Sequence, residues 1–73
     1  MRLNELQAGQ TATISSIRHS GSMLQRLMEM GMAEGQSVTV VRRAPMGDPI
    51  EVRLGDFSLS LRLADAALID VKP

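Results

Sequence analysis

A chain of 73 residues without cysteine has room for one small core and excludes a disulfide framework or a thiolate metal site. Its eight basic and eight acidic residues cancel, and Phe57 is the sole aromatic residue, which argues against the clustered cations and stacking platforms of a nucleic-acid binder. No apolar run approaches the roughly 20 residues that cross a bilayer, and the N-terminus lacks the apolar core of a secretory signal; the expectation is one cytoplasmic domain over residues 1–73 with no direct membrane insertion.

The first element is a single helical turn in which Asn4 caps and Leu3 and Leu6 are buried, closed by Gly9. Residues 11–17 are rich in β-branched types and read as a strand. Ile14 and Ile17 are three apart, so a bulge near Ser15 and Ser16 is needed to bury both. After the loop 18–21, the pattern predicts a helix over 22–30. Ser22 and Gln25 have the spacing of a capping box, Leu24, Leu27 and Met28 share a face, and Met23 and Met30 widen it. Gly31 ends the helix as a left-handed cap and Gly35 permits a second tight turn. A helix this short persists only by packing against a sheet.

Alternation of period two then marks strands around 38–43, 50–54 and 57–61, with Gly55-Asp56 linking the last two as a hairpin. Residues 63–67 fit one helical turn, and 68–71 close as a short strand. The predicted core comprises Ile14, Leu24, Leu27, Val38, Val40, Ile50, Val52, Leu59, Leu61 and Ile69. Five short strands in so small a chain suggest a strongly bent sheet closing on itself. The predicted fold is therefore mainly β, an SH3-like barrel with one inserted helix and short helical turns.

The connector Ala44-Pro45-Met46-Gly47-Asp48-Pro49-Ile50 is stiff. Proline and glycine fall where a type I turn favours them, and Asp48 before Pro49 is pushed toward an extended form. A low-entropy hairpin in a marginal domain explains these residues without any partner. Met46 does not fit that explanation, because at the tip it has no core to enter, and an unbranched thioether is an adaptable protein contact. Arg42, Arg43, Asp48, Glu51 and Arg53 are expected to give it a polar rim. The candidate partner-binding set is Arg43, Pro45, Met46, Gly47, Asp48 and Pro49.

Other chemistry is sparse. His19 has no second ligand at metal spacing and reads as a solvated loop residue. Met23, Met28 and Met30 read as core fillers rather than Cu(I) ligands, whereas Met32 and Met46 are less easily placed. The order of Asp48, Glu51, Asp56, Asp65 and Asp70 matches no calcium loop. No nucleophile–base set, phosphate-cradling loop or dinucleotide fingerprint is present. The expectation is no catalytic residue, no metal ligand set and no cofactor.

Leu27-Met28-Glu29-Met30-Gly31-Met32-Ala33-Glu34-Gly35, the Val-Val-Arg run, the hairpin Ala44 to Ile50, Leu59-Ser60-Leu61-Arg62 and Ala66 together resemble the FeoA family of bacterial ferrous iron transport proteins over nearly the whole chain. Met30 stands where the family usually has leucine, a nearly volume-conserving change, and Glu34 where it often has proline. The resemblance implies a small cytoplasmic SH3-like domain that works by contact with FeoB, a membrane ferrous iron permease carrying a GTP-binding domain, and is not known as a catalyst. It turns the reading of the 44–49 hairpin toward docking. Two alternatives share a small barrel: the metal-sensing domain of metal-dependent repressors, disfavoured because no helix-turn-helix precedes Met1, and an RNA-binding module, disfavoured by the missing basic and aromatic face. An exposed edge strand makes a homo-oligomer plausible.

Overall fold

Alternating apolar residues form five strands in the computed structural model, which describes residues 1–73: β1 (Thr11–Ile17), β2 (Ser37–Arg43), β3 (Ile50–Leu54), β4 (Phe57–Leu61) and β5 (Ile69–Lys72). Helix α1 (Gly21–Glu29) is inserted between β1 and β2, α2 (Leu63–Ala66) precedes β5, and a 3₁₀ turn (Leu3–Glu5) opens the chain. The strands make one antiparallel sheet in the order β4-β3-β2-β1-β5. No helix is long and apolar enough to cross a membrane.

The sheet is not closed, which corrects the expectation of a barrel sealed on itself. Closure requires β4 to pair with β5, and the free side of β5 is already taken. Its Val71 N–H donates to the Met1 carbonyl at 2.8 Å, and Arg2 bridges to Asp70.

The N-terminal turn also differs from expectation. It starts after Arg2, whose N–H donates to Glu5 Oε1 at 2.6 Å. Asn4 therefore lies inside the turn and caps nothing; its Oδ1 is buried without a hydrogen-bond partner. Leu3 and Leu6 are fully buried.

Two bulges set which side chains face the core. In β1 the register against β5 steps from Ile14↔Val71 to Ser16↔Asp70, leaving Ser15 as the extra residue. That step brings Ile17 back to the side of buried Ile14, where it packs on the core. In β2 the register steps from Val40↔Val52 to Arg42↔Glu51 and Arg43↔Ile50, leaving Val41 as the extra residue. Directly opposed residues share a face, so Arg43, opposite buried Ile50, turns to the core side. Simple alternation assigns that side to Arg42. The guanidinium of Arg43 then passes beyond the apolar layer, and its Nη2 donates to the carbonyls of Asn4 at 2.8 Å and Leu6 at 2.6 Å.

Helix α1 begins one residue before Ser22, with Ser20 at the cap position and no side-chain capping bond; the Ser22–Gln25 capping box does not form. Its end is better specified. Gly31 at φ 92° lets its own N–H reach the Met28 carbonyl at 3.0 Å while Met32 N–H reaches the Leu27 carbonyl at 3.0 Å, the pair of bonds of a Schellman cap. That cap directs Met32 back over Leu27, and both are fully buried. Gly35 N–H donates to the Ile14 carbonyl at 2.8 Å and starts β2 beside β1.

The buried core contains Ile14, Leu27, Val38, Val40, Ile50, Val52, Leu61 and Ile69, together with Leu3, Leu6, Ala12, Met32, Leu54, Ala66 and Val71. Leu24 and Leu59, both expected in the core, are only half-buried. Leu59 lies on the edge strand β4, where one flank has no neighbouring strand; Leu24 lies on the side of α1 turned from the sheet, next to Met28, which is 57% exposed. The helix contributes Leu27 as its one fully buried side chain.

Leu27→Ala is expected to destabilise the protein by about 2–5 kcal/mol, whereas Met28→Ala should stay within about 0.5 kcal/mol; urea unfolding of both variants checks the assignment of inner and outer helix faces. Arg43→Met removes two charge-assisted bonds and leaves two carbonyls unpaired, and should lower stability by roughly 1.5–3 kcal/mol in the same measurement.

Candidate functional site

The connector between β2 and β3 is braced at each level. Ala44 N–H donates to the Pro49 carbonyl at 3.0 Å across its neck, and Gly47 N–H donates to the Ala44 carbonyl at 2.7 Å across its tip. Gly47 has φ 88°, in the left-handed region that L side chains rarely adopt. The Asp48–Pro49 peptide bond is cis. Asp48 Oδ1 accepts the N–H of Leu63 at 3.0 Å, so the outgoing leg is fastened to the first residue of α2 while Arg43 fastens the incoming leg to the N-terminal turn.

This bracing reassigns the candidate residues. Arg43 and Asp48 have structural partners and hold the hairpin in place. Arg42 and Glu51, 2.8 Å apart, pair with each other at the surface. Arg53 stands near the far end of β3, opposite Ser58 and Thr39, and is not part of a rim around the tip. The expected charged rim therefore shrinks to one self-neutralised pair. Pro45, Met46 and Pro49 remain exposed, and Met46 is 92% exposed, more than any other large apolar residue. Beside the hairpin, Arg42, Arg43, Ala44, Pro45, Pro49, Glu51 and Ser60 line a shallow cleft of about 270 Å³.

His19 is not the solvated loop residue expected. It is half-buried, and its Nε2–H donates to the Asp65 carbonyl at 2.9 Å, joining the loop before α1 to α2. Arg18 beside it pairs with Asp70 at 2.8 Å. Nowhere do three or more His, Asp or Glu side chains converge as a metal site would require.

A second apolar surface was not singled out by the sequence. Met23 and Leu27 of α1, Met30 at its C-cap, and Leu59 and Leu61 of β4 line a groove of about 450 Å³, bounded by Arg26, Arg62 and Asp65. On the outer side of α1, Ile17, Leu24, Met28 and Ala33 line a smaller hollow of about 320 Å³. The signal was present: apolar residues at 23, 24, 27, 28 and 30 cover more of the helix circumference than one core-facing stripe needs. With exposed thioethers and no convergent acid, base or nucleophile, these surfaces can bind but display no catalytic constellation.

Comparison with known proteins agrees in fold and family. The family model described as the FeoA domain matches residues 1–73. A fusion of Fe(2+) transport protein A with the Fe(2+) transporter FeoB from Porphyromonas gingivalis is 43% identical over 72 residues; the match covers 99% of this chain and 8% of that protein. The solution structure of FeoA from Chlorobium tepidum superposes with a TM-score of 0.93 at 39% identity, covering 99% of this chain and 69% of that one. The zinc-complexed FeoA of Stenotrophomonas maltophilia, characterised as a prokaryotic SH3 domain protein, superposes with a TM-score of 0.85 at 30% identity, covering 99% and 89%. The open sheet with its inserted helix is thus an SH3-like fold, and by a match along its whole length the chain belongs to the FeoA family.

Proposed function

We propose that this protein is an accessory factor of bacterial ferrous iron uptake that works in the cytoplasm, by contact with a FeoB-type membrane transporter and without catalysis of its own. The observation that carries the reading is the fused relative, in which a domain like this one and FeoB share one polypeptide. Fusion converts an encounter between two proteins into an intramolecular one with a high effective concentration, so it is useful where two parts act together. Where the two are not covalently joined, the association has to come from the surface of the domain.

The hairpin 44–49 is the part of that surface best suited to the task. Met46 is exposed at its tip, and a thioether adapts to varied apolar pockets. Pro45 and Pro49 flank it with little conformational freedom to lose. Arg43, Gly47 and Asp48 act as positioning residues: they set the frame through the Asn4 and Leu6 carbonyls, the tip bond and the Leu63 N–H. A preformed frame reduces the ordering penalty on association, which suits a small protein with limited contact area.

Met46→Glu should leave the thermal melt close to wild type, because the side chain contacts no core, and should weaken capture by the cytoplasmic part of the transporter about tenfold or more. Undiminished capture by a normally folded Met46→Glu protein contradicts the docking role of the hairpin.

A further inference from the structure

The sheet has two edges, and the chain treats them differently. The edge of β5 is covered by Met1 and Arg2. The edge of β4 has no strand beside it. Exposed edges are usually blunted by lysine, proline or an inward charge, yet Phe57-Ser58-Leu59-Ser60-Leu61 contains none of these.

The register tells which backbone groups are free. The two-residue loop Gly55-Asp56 makes Leu54 and Phe57 a mutually hydrogen-bonded pair, and such pairs alternate along an antiparallel ladder. Phe57, Leu59 and Leu61 therefore spend their N–H and C=O groups on β3, and those of Ser58 and Ser60 point outward. The outward groups permit an antiparallel partner only where paired residue numbers sum to an even value. A self-complementary partner thus has its two-fold axis at Ser58, Leu59 or Ser60.

The charges separate these registers. An axis at Leu59 sets Ser58 against Ser60, Phe57 against Leu61 and Asp56 against Arg62, each pair occurring twice. An axis at Ser58 sets Asp56 against Ser60 and Arg62 against Leu54; an axis at Ser60 sets Asp56 against Ala64 and Arg62 against Ser58. Only the axis at Leu59 matches opposite charges. Asp56 and Arg62 are both exposed, and neither belongs to an ion pair within the chain.

From this complementarity we infer that β4 is a homodimerisation edge, pairing antiparallel with β4 of a second copy about Leu59 to form one continuous ten-stranded sheet. Four backbone hydrogen bonds form between Ser58 and Ser60 of the two copies. Opposed residues share a face, so Phe57, 49% exposed in the single chain, comes to rest against Leu61 of the second copy at the mouth of the Met23–Met30 groove. Half-buried Leu59 meets its own counterpart on the axis. Residues 44–49 take no part, and the inference is independent of the transporter reading.

Sedimentation equilibrium of the full chain from micromolar to millimolar concentration, with thermal melts of each variant, tests it. The wild type should be a monomer–dimer equilibrium. Arg62→Asp should raise the dimer Kd about tenfold, as two attractive cross-strand pairs become repulsive; Asp56→Arg should do the same, and the double exchange should restore the wild-type Kd. Ser58→Pro, which removes an outward N–H and no ladder bond to β3, should give a monomer that still melts cooperatively. A wild type that is monomeric at millimolar concentration overturns the inference. So does a dimer indifferent to Arg62→Asp and Ser58→Pro, or a double exchange that fails to restore association.

Discussion

The hydrogen bonds from the Arg43 guanidinium to the Asn4 and Leu6 carbonyls are the constraint on which the arrangement of this small protein turns. They depend on the bulge at Val41, which rotates Arg43 out of its alternating position and over the core side of the sheet. They also fix the N-terminal turn, whose Leu3 and Leu6 are fully buried and whose preceding residues cover the edge of β5. One cation therefore links the root of the β2–β3 hairpin to the segment that keeps the sheet open. Asp48 completes the attachment on the other leg through the Leu63 N–H. The rigidity expected from the prolines alone is in fact imposed at several points along the hairpin.

Much of the fold was legible because it follows from short-range chemistry. The five strands and the helix fall within a residue or two of where alternation and turn residues put them. Ile14 and Ile17 signalled the first bulge directly, since two buried isoleucines three apart cannot share a face of a regular strand. What was not legible depended on register and long-range competition. Val40-Val41-Arg42-Arg43 offers two ways to alternate, and a slip of one residue exchanges a solvent arginine for a core-side one. Met28, expected as a core filler, is exposed, and Met32, which the sequence left hard to place, is buried because the cap at Gly31 redirects the chain, an effect that a helical wheel ending at Met30 does not contain. The contact of His19 with Asp65 and the N-terminal residues beside β5 join segments far apart in sequence, which periodicity cannot show.

The same limits apply to the candidate site. Met46 was identifiable because an apolar residue at a turn tip has nowhere to go, and it is indeed exposed. Its expected rim of charges was not, since sequence proximity does not tell whether a charge faces solvent or is tied to the backbone. Of the five rim residues, two are structural fasteners, two neutralise each other and one is remote. Around the hairpin, then, the charges mostly serve the architecture, and the exposed thioethers and open strand edge are left for association. That division is consistent with the proposed contact role, which asks for accessible apolar groups on a braced frame and for no convergent catalytic groups.

The central claim is that the hairpin tip is the face presented to the transporter, and the distribution of methionines offers a direct reading of it. Met46 marks the tip, Met23, Met28 and Met30 mark the helix and its C-cap, and Met32 lies in the core. With the methionine methyl groups isotopically labelled, titration with the cytoplasmic part of a FeoB-type transporter should shift or broaden the Met46 resonance first and leave that of Met32 in place. A titration that moves the helix methionines while the Met46 resonance stays unchanged contradicts the account.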